Sequence, residues 1–324
     1  MTVSLITQEN IDTEIGDPDF VEVRVPASSA NLGSGFDCCA LALQLYLTVR
    51  AYKPSSRVPL SSVDLQGNQG FVDIGSSDQC SENLICKAMS FVADREGFCL
   101  PPVQLTSHNE IPLASGLGSS GAAIVAGMKL AIALGGHQLS VEKFLRYATE
   151  LEGHADNVAA ALLGGWVVHC INDDRSVPAL KKDWPCDLKI IVITPDYPLP
   201  TKRARALLPE MVSRADAVYN MQRLALFNAA VENRAYGLVW EAMADRLHQP
   251  YRRGLVPGLS QALATQQCDG LLGIALSGAG PSVIALAHDQ ESVIADLIAK
   301  CFHEAGIQTT TRHLGVDNRG ATIR

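Results

Sequence analysis

Apolar and polar residues alternate at two places near the start of the chain. Glu22 and Arg24 separate Val21, Val23 and Val25, and Tyr46, Thr48 and Arg50 interleave with Leu45, Leu47 and Val49. A period of two places one set of side chains on one face, so both segments are expected as half-buried strands. The small-residue stretch Pro26 to Asp37 between them reads as a loop. Further along, the period changes. Residues Asn83 to Arg95 and Ala122 to Leu134 read as helices, the second ended by Gly135-Gly136. Ser140 is placed to cap a helix whose Val141, Phe144, Leu145, Ala148 and Leu151 form one apolar stripe, with Gly153 at its end. A short helix from Asp156 to Leu163 stops at Gly164-Gly165, and Trp166 to Ile171 reads as a strand.

Asn172 to Pro185 is polar, with two prolines and mixed charges, and marks a domain boundary. After it the pattern predicts a buried strand over Leu188 to Thr194 and helices over Arg214 to Glu232 and Gly237 to Leu247. A glycine-rich turn at Ser277 to Pro281, a β-branched strand at Ser282 to Leu286 and a helix over Ser292 to Glu304 complete it. Helices and strands mixed without strict alternation point to an α+β fold rather than a doubly wound sheet. The expected division is a polar extension at 1–19, an N-terminal domain at 20–178 and a C-terminal domain at 179–324.

Composition narrows the function classes. The chain has 324 residues and a net charge of −8, and its basic residues nowhere cluster beyond pairs such as Lys181-Lys182. A nucleic-acid surface needs a concentrated basic face, so no nucleic-acid partner is expected. The nine cysteines include no Cys-x-x-Cys pair and sit mostly among apolar residues, as small hydrophobes of a reducing compartment do. The first nineteen residues lack the apolar core of a signal peptide, and no apolar window is long enough for a membrane span. A cytoplasmic protein that handles small molecules and engages no membrane is expected.

The chemistry concentrates in Pro112-Leu-Ala-Ser-Gly-Leu-Gly-Ser-Ser-Gly-Ala122, directly before an apolar helix. Glycines let the backbone approach a ligand closely, and the helix start offers unpaired N–H groups and a positive dipole end. That combination suits phosphate. The loop lacks a Walker A lysine, so a triphosphate there would rest on backbone amides, Ser119, Ser120 and a metal. The same pattern also suits a tight connection with Ser119 or Ser120 as N-cap.

Three other segments carry polar groups. Pro26 to Asp37 places Asn31 and Asp37 six residues apart around Gly33 and Gly35, which fits either a zwitterionic ligand or a turn capping its own backbone. Glu150-Leu-Glu-Gly-His-Ala-Asp-Asn157 gathers three carboxylates, a histidine and an amide, from which one glutamate could complete a Mg²⁺ site. Ser277-Gly-Ala-Gly-Pro281 could bring amides near a phosphate, or serve as a turn only.

Together these segments resemble the GHMP kinases. Pro112-x-x-x-Gly-Leu-Gly-Ser-Ser is similar to their phosphate loop and Ser277-Gly-Ala-Gly-Pro to their C-terminal glycine motif. Ser-Ser-Ala-Asn-Leu-Gly-Ser-Gly-Phe-Asp37, Glu-Gly-His-Ala-Asp-Asn157, Thr201-Lys-Arg-Ala-Arg205 and His248-Gln-Pro-Tyr-Arg252 look specifically like the homoserine kinases within them.

The resemblance implies a two-domain α+β kinase with its site in the inter-domain cleft, using ATP and Mg²⁺ to phosphorylate L-homoserine in threonine biosynthesis. It implies that Asn31, Asp37, His154, Asn157, Arg205 and Arg252 surround the amino acid, Asp37 on its ammonium and the arginines on its carboxylate. Nucleotide contacts fall on Asn83 and on Pro112, Leu113, Ala114, Ser115, Gly116, Leu117, Gly118, Ser119, Ser120, Gly121 and Ala122. Mg²⁺ falls to Ser119 or Ser120 with Glu152, although Glu150 competes. The implied catalytic set is Asn157, Asp156, Thr201 and Arg205, with Asp156 structural or electrostatic rather than a base. A mevalonate or phosphomevalonate kinase and a non-catalytic nucleotide or amino-acid sensor stay open as alternatives. A homodimer is allowed but not required.

Overall fold

A computed structural model describes residues 20–52, 69–73 and 83–324. The expected polar extension at 1–19 lies outside the described residues. The strands are β1 (Phe20–Asn31), β2 (Gly35–Tyr52), β3 (Gln69–Asp73), β4 (Gln104–Asn109), β5 (Trp166–His169), β6 (Ala179–Lys182), β7 (Lys189–Pro195), β8 (Leu271–Leu276), β9 (Val283–Ala287), β10 (Thr309–Leu314) and β11 (Thr322–Ile323). One sheet has the order β11-β1-β2-β4-β3, with β5 on β2 and β6 on β5; the second has the order β10-β7-β9-β8. Every pairing is antiparallel, which leaves one face of each sheet for helices, as an α+β fold requires.

The helices that matter for the site are α1 (Leu84–Glu96), α2 (Ser119–Gly135), α3 (Val141–Glu152) and α4 (Asp156–Leu163). Asn83 caps α1, its side-chain oxygen accepting from the Ile85 and Cys86 amides. Helix α2 is buried on nearly its whole circumference, so it runs through the core rather than over it. Gly127 lets α1 and α2 touch, since a Cβ there would meet the Ile85 carbonyl at 2.3 Å. Ser140 caps α3 as its pattern predicts, and Gly153 closes that helix in the left-handed conformation. Later in the chain come α5 (Thr201–Arg205), α6 (Arg214–Glu232), α7 (Val239–Ala242), α8 (Gln249–Arg252), α9 (Leu259–Leu263) and α10 (Glu291–Glu304).

Three expectations are corrected. Pro26 to Asp37 is not a loop: β1 continues to Asn31 and β2 begins at Gly35, leaving a turn over 32–34. Ala27, Ser28, Ser29 and Ala30 are at most 1% exposed, so small residues fill a doubly covered strand here. The helix expected over Gly237 to Leu247 breaks after α7 because the Asp245 carboxylate accepts the amides of Leu247, His248 and Gln249 and starts α8 instead. The boundary expected at 178/179 falls inside the first sheet, since β6 pairs with β5 from Trp166↔Lys182 to His169↔Ala179. That sheet also takes back β11, which pairs Val23 with Ile323.

No helix among the described residues is long and apolar enough to cross a membrane.

Candidate active site

The glycine segment forms the wall of a cavity of about 690 Å³. Gly116 and Gly118 take φ of 81° and 70°, in the left-handed region where a side chain is strained. Space forbids a Cβ as well: at Gly116 it would lie 2.3 Å from the Ser277 carbonyl, and at Gly118 it would lie 2.1 Å from Ser28 Oγ. The amides of Gly116, Gly118, Ser119 and Ser120 have no protein acceptor among the described residues, and they stand at the start of α2. Gly118 itself is the N-cap and makes no side-chain cap, so neither serine serves as one. An anion at this place meets free donors and the positive end of a seventeen-residue helix.

The turn is held from several sides. The Ser28 amide donates to the Leu117 carbonyl at 3.1 Å and the Ser282 amide to the Ser115 carbonyl at 3.1 Å. The Ser277 hydroxyl donates to the Gly116 carbonyl at 2.7 Å, and the Gly278 amide reaches the Ala30 carbonyl at 3.0 Å. The second glycine turn is thus a buttress of the first.

Ser120 Oγ donates to Glu152 Oε1, whereas Ser119 Oγ accepts from Asn109 Nδ2 at 3.3 Å. Glu150 is paired with Arg95 and does not line the cavity. Burial raises the pKa of Glu152 despite that hydrogen bond. No three His, Cys, Asp or Glu side chains among the described residues are placed to hold a metal unaided. One carboxylate and one hydroxyl side by side at the glycine turn are the kind of partial donor set that Mg²⁺ uses with phosphate oxygens and water.

Beyond Glu152 the polar groups form a chain. His154 Nδ1 lies 2.7 Å from Asp156 Oδ1, which also accepts from the Asn157 amide at 2.6 Å and from Asn157 Nδ2 at 3.2 Å. Burial works against the Asp156 charge, yet the His154 hydrogen bond and charge outweigh it and hold the carboxyl below its usual range. Burial likewise disfavours the His154 imidazolium, but Asp156 and Glu152 carry its pKa above the ordinary value. Asn157 Oδ1 accepts from Ser28 Oγ at 2.8 Å. Asn31 Oδ1 accepts the Asp37 amide at 3.0 Å, the self-capping turn that the spacing allowed, while its Nδ2 donates to the Gly278 carbonyl.

Two arginines close this end. Arg205 makes a two-pronged ion pair with Asp37. Arg252 is 1% exposed, and burial together with Arg205 lowers its pKa to about 10.

Of the predicted residues, Asn31, Asn83, Pro112 to Ser120, Glu152, His154, Asp156, Asn157, Thr201, Arg205 and Arg252 all line the one cavity. Three do not. Gly121 and Ala122 are buried in the first turn of α2, Gly121 against Asn157. Asp37 reaches the cavity only through Arg205.

A family model described as the GHMP kinases N terminal domain matches residues 83–165, and one described as GHMP kinases C terminal matches 225–303. The homoserine kinase of Solibacter usitatus is 39% identical over 298 residues, which is 92% of this chain and 95% of that one. The homoserine kinase of Deinococcus radiodurans is 42% identical over 275 residues, covering 85% and 86% of the two chains. The chain belongs to the homoserine kinase family of the GHMP kinases. In three dimensions it is similar to the crystal structure of homoserine kinase from Cytophaga hutchinsonii, with a TM-score of 0.78 at 25% identity over 97% of this chain and 100% of that one.

Sequence reasoning passed over several groups that this family member brings to the site. Asn109 contacts Ser119, Ser28 contacts Asn157, and Phe36 lies under both arginines. Leu84, Ile85 and Ile111 give the cavity an apolar side. Asn109 carried a usable signal, an amide three residues before Pro112.

Proposed function

We propose that this protein transfers the γ-phosphoryl group of ATP to the side-chain hydroxyl of L-homoserine, giving O-phospho-L-homoserine and ADP in threonine biosynthesis. One observation carries the reading: a single cavity joins unpaired loop amides to two arginines and a His–Asp–Asn cluster built on the buried Asp156, in a chain of the homoserine kinase family.

The triphosphate lies along the amides of Gly116 to Ser120, with Pro112 to Ser115 forming the outer turn. The base takes the apolar side, near Asn83 and Asn109. Donors that already point at the site stabilise charge as it grows, with no reorganisation at the moment of transfer. Ser120 and Glu152 would hold Mg²⁺, which when bound would supply charge neutralisation for the transferred phosphoryl group. Ser119 is turned to Asn109 and supports the loop instead.

The amino acid lies among Asn31, Asp37, His154, Asn157, Arg205 and Arg252, with Thr201 beside the phosphate acceptor. Asp156 serves as an anchor for His154 and Asn157. With three donors on one carboxylate oxygen and a depressed pKa, it is a poor proton acceptor. Phosphoryl transfer through a loose transition state needs positioning and charge neutralisation more than a strong base. Mevalonate and phosphomevalonate have no ammonium group to pair with Asp37.

ADP release measured separately with homoserine, mevalonate and phosphomevalonate tests the assignment. Turnover with homoserine alone is expected, and its absence overturns the reading.

A further inference from the structure

Three of the five N–H donors of the Arg252 guanidinium, those on Nε and Nη1, are committed. Nε lies 3.3 Å from the Ala204 carbonyl, and Nη1 lies 3.2 Å from His248 Nδ1 and 3.3 Å from the Gly278 carbonyl. Nη2 has no protein partner among the described residues, and Arg252 lines the cavity. One nitrogen is therefore left over for a ligand.

His248 decides which one. It is fully buried, with Nε2 2.8 Å from the Gly33 carbonyl. A carbonyl only accepts and a guanidinium only donates, so the two neighbours together require the neutral Nε2–H tautomer with a lone pair on Nδ1. Burial and the adjacent Arg252 lower the imidazole pKa, Asp245 opposing them, which agrees with a neutral ring.

The ring is held as firmly as its proton. Asp245 accepts the amides of Leu247, His248 and Gln249 at 2.8, 3.1 and 2.7 Å and fixes the backbone from which the ring projects. Phe36 stacks on the imidazole, centroids 5.2 Å apart and planes 21° apart, and the Arg252 guanidinium carbon lies 5.3 Å from the same phenyl centroid.

We propose that His248 is a positioning residue for the amino-acid substrate: its Nδ1 lone pair engages Arg252 Nη1 and so presents Nη2 to the substrate carboxylate. The inference rests on the homoserine reading, and His248 itself touches no substrate. A role confined to packing the turn at Gly33 would leave the carboxylate contact untouched.

Steady-state kinetics on the full-length enzyme separate these roles. His248→Leu removes both ring nitrogens, whereas His248→Asn keeps an acceptor near the place of Nδ1. His248→Leu is expected to raise the homoserine KM about 10- to 100-fold while the ATP KM stays within about twofold. His248→Asn recovers most of that loss. In an Arg252→Lys background, His248→Leu adds less than about threefold, because the two side chains act as one unit.

A loss of equal size in the Arg252→Lys background, or no recovery with asparagine, overturns the proposal. Should the leucine variant fail to melt cooperatively, His248→Gln replaces it. Glutamine fills the Nε2 place only, so asparagine must bind homoserine better than glutamine for the proposal to stand. Wild-type enzyme that fails to turn over homoserine removes the substrate assignment, a result distinct from either variant pattern.

Discussion

Arg205 and Asp37 grip each other, Nη1 to Oδ2 at 2.9 Å and Nη2 to Oδ1 at 2.6 Å. Under the proposed function these are the groups that meet the opposite ends of a zwitterion. Binding is then an exchange, in which the substrate's ammonium and carboxylate take over from a pair already neutralised. Such a cluster avoids leaving a bare charge in a half-closed site, where desolvation is costly. Asp37→Asn is expected to raise the homoserine KM about 10- to 100-fold with little change in the ATP KM, since hydrogen bonds to charged groups are the strong ones. Steady-state kinetics with each substrate varied in turn check this; an unmoved homoserine KM would remove Asp37 from the amino-acid site.

Two glycines separate backbone strain from site geometry. Gly118 and Gly136 both have positive φ, but a Cβ at Gly118 strikes Ser28 and Asn157, whereas none at Gly136 meets anything within 4 Å. Gly136→Ala should cost about 1–2 kcal/mol of stability from the left-handed conformation alone, with nucleotide affinity intact. Gly118→Ala should lose nucleotide affinity by at least about tenfold, because the phosphate loop must shift to admit the methyl group. Thermal melts and titration with a non-hydrolysable ATP analogue distinguish the two; equal nucleotide affinities would contradict the assignment of the loop.

Glu152→Ala removes the carboxylate paired with Ser120. The expected result is a fall in kcat of at least about 100-fold with a far smaller change in nucleotide Kd, the pattern of a group that acts on developing charge. The half-saturating magnesium concentration should rise in parallel. A variant that keeps its kcat would exclude Glu152 from the metal site.

A pH dependence follows from the clasp between α1 and α3. The Glu96 carboxylate accepts from Lys143 Nζ and from the Tyr147 hydroxyl, each at 2.8 Å. Burial opposes its charge, but these two donors prevail and lower its pKa below the ordinary 4.5. A carboxyl depressed in the folded state contributes stability in full above its unfolded pKa and loses it as pH falls through the folded value. Wild type should therefore melt above Glu96→Gln at pH 7, and the gap should close below about pH 4.5. Melting curves across that range test it, and a gap that stays constant into acid would refute it.

Helix boundaries were legible where capping and periodicity coincide. Ser213 caps α6, and the segment runs from Arg214 to Glu232 as its pattern predicts. Ser140 and Gly153 likewise delimit α3. The β1–β2 hairpin was opaque because Ala27 to Ala30 are small residues covered on both faces, and a doubly covered strand shows no alternation. β6 and β11 are four and two residues long and exist through the neighbours that pair with them. Within the site, residue types were readable from the motifs but their partners were not. Asp37 and Arg205 lie 168 positions apart, so nothing local announces that they meet. The choice of Ser120 over Ser119 to face Glu152 is likewise set by the rotation of α2 against α3 rather than by the motif.

The Ser277 hydroxyl and the Gly116 carbonyl that it clasps are 161 positions apart. The mouth proposed to capture a nucleotide is thus sculpted jointly by remote stretches of chain. A defect introduced near Ser277 should be felt as poorer capture at the far side, in a turn whose own letters are unchanged. Inheritance of the glycine signature alone therefore does not guarantee a working grip; its distant keystone has to come along.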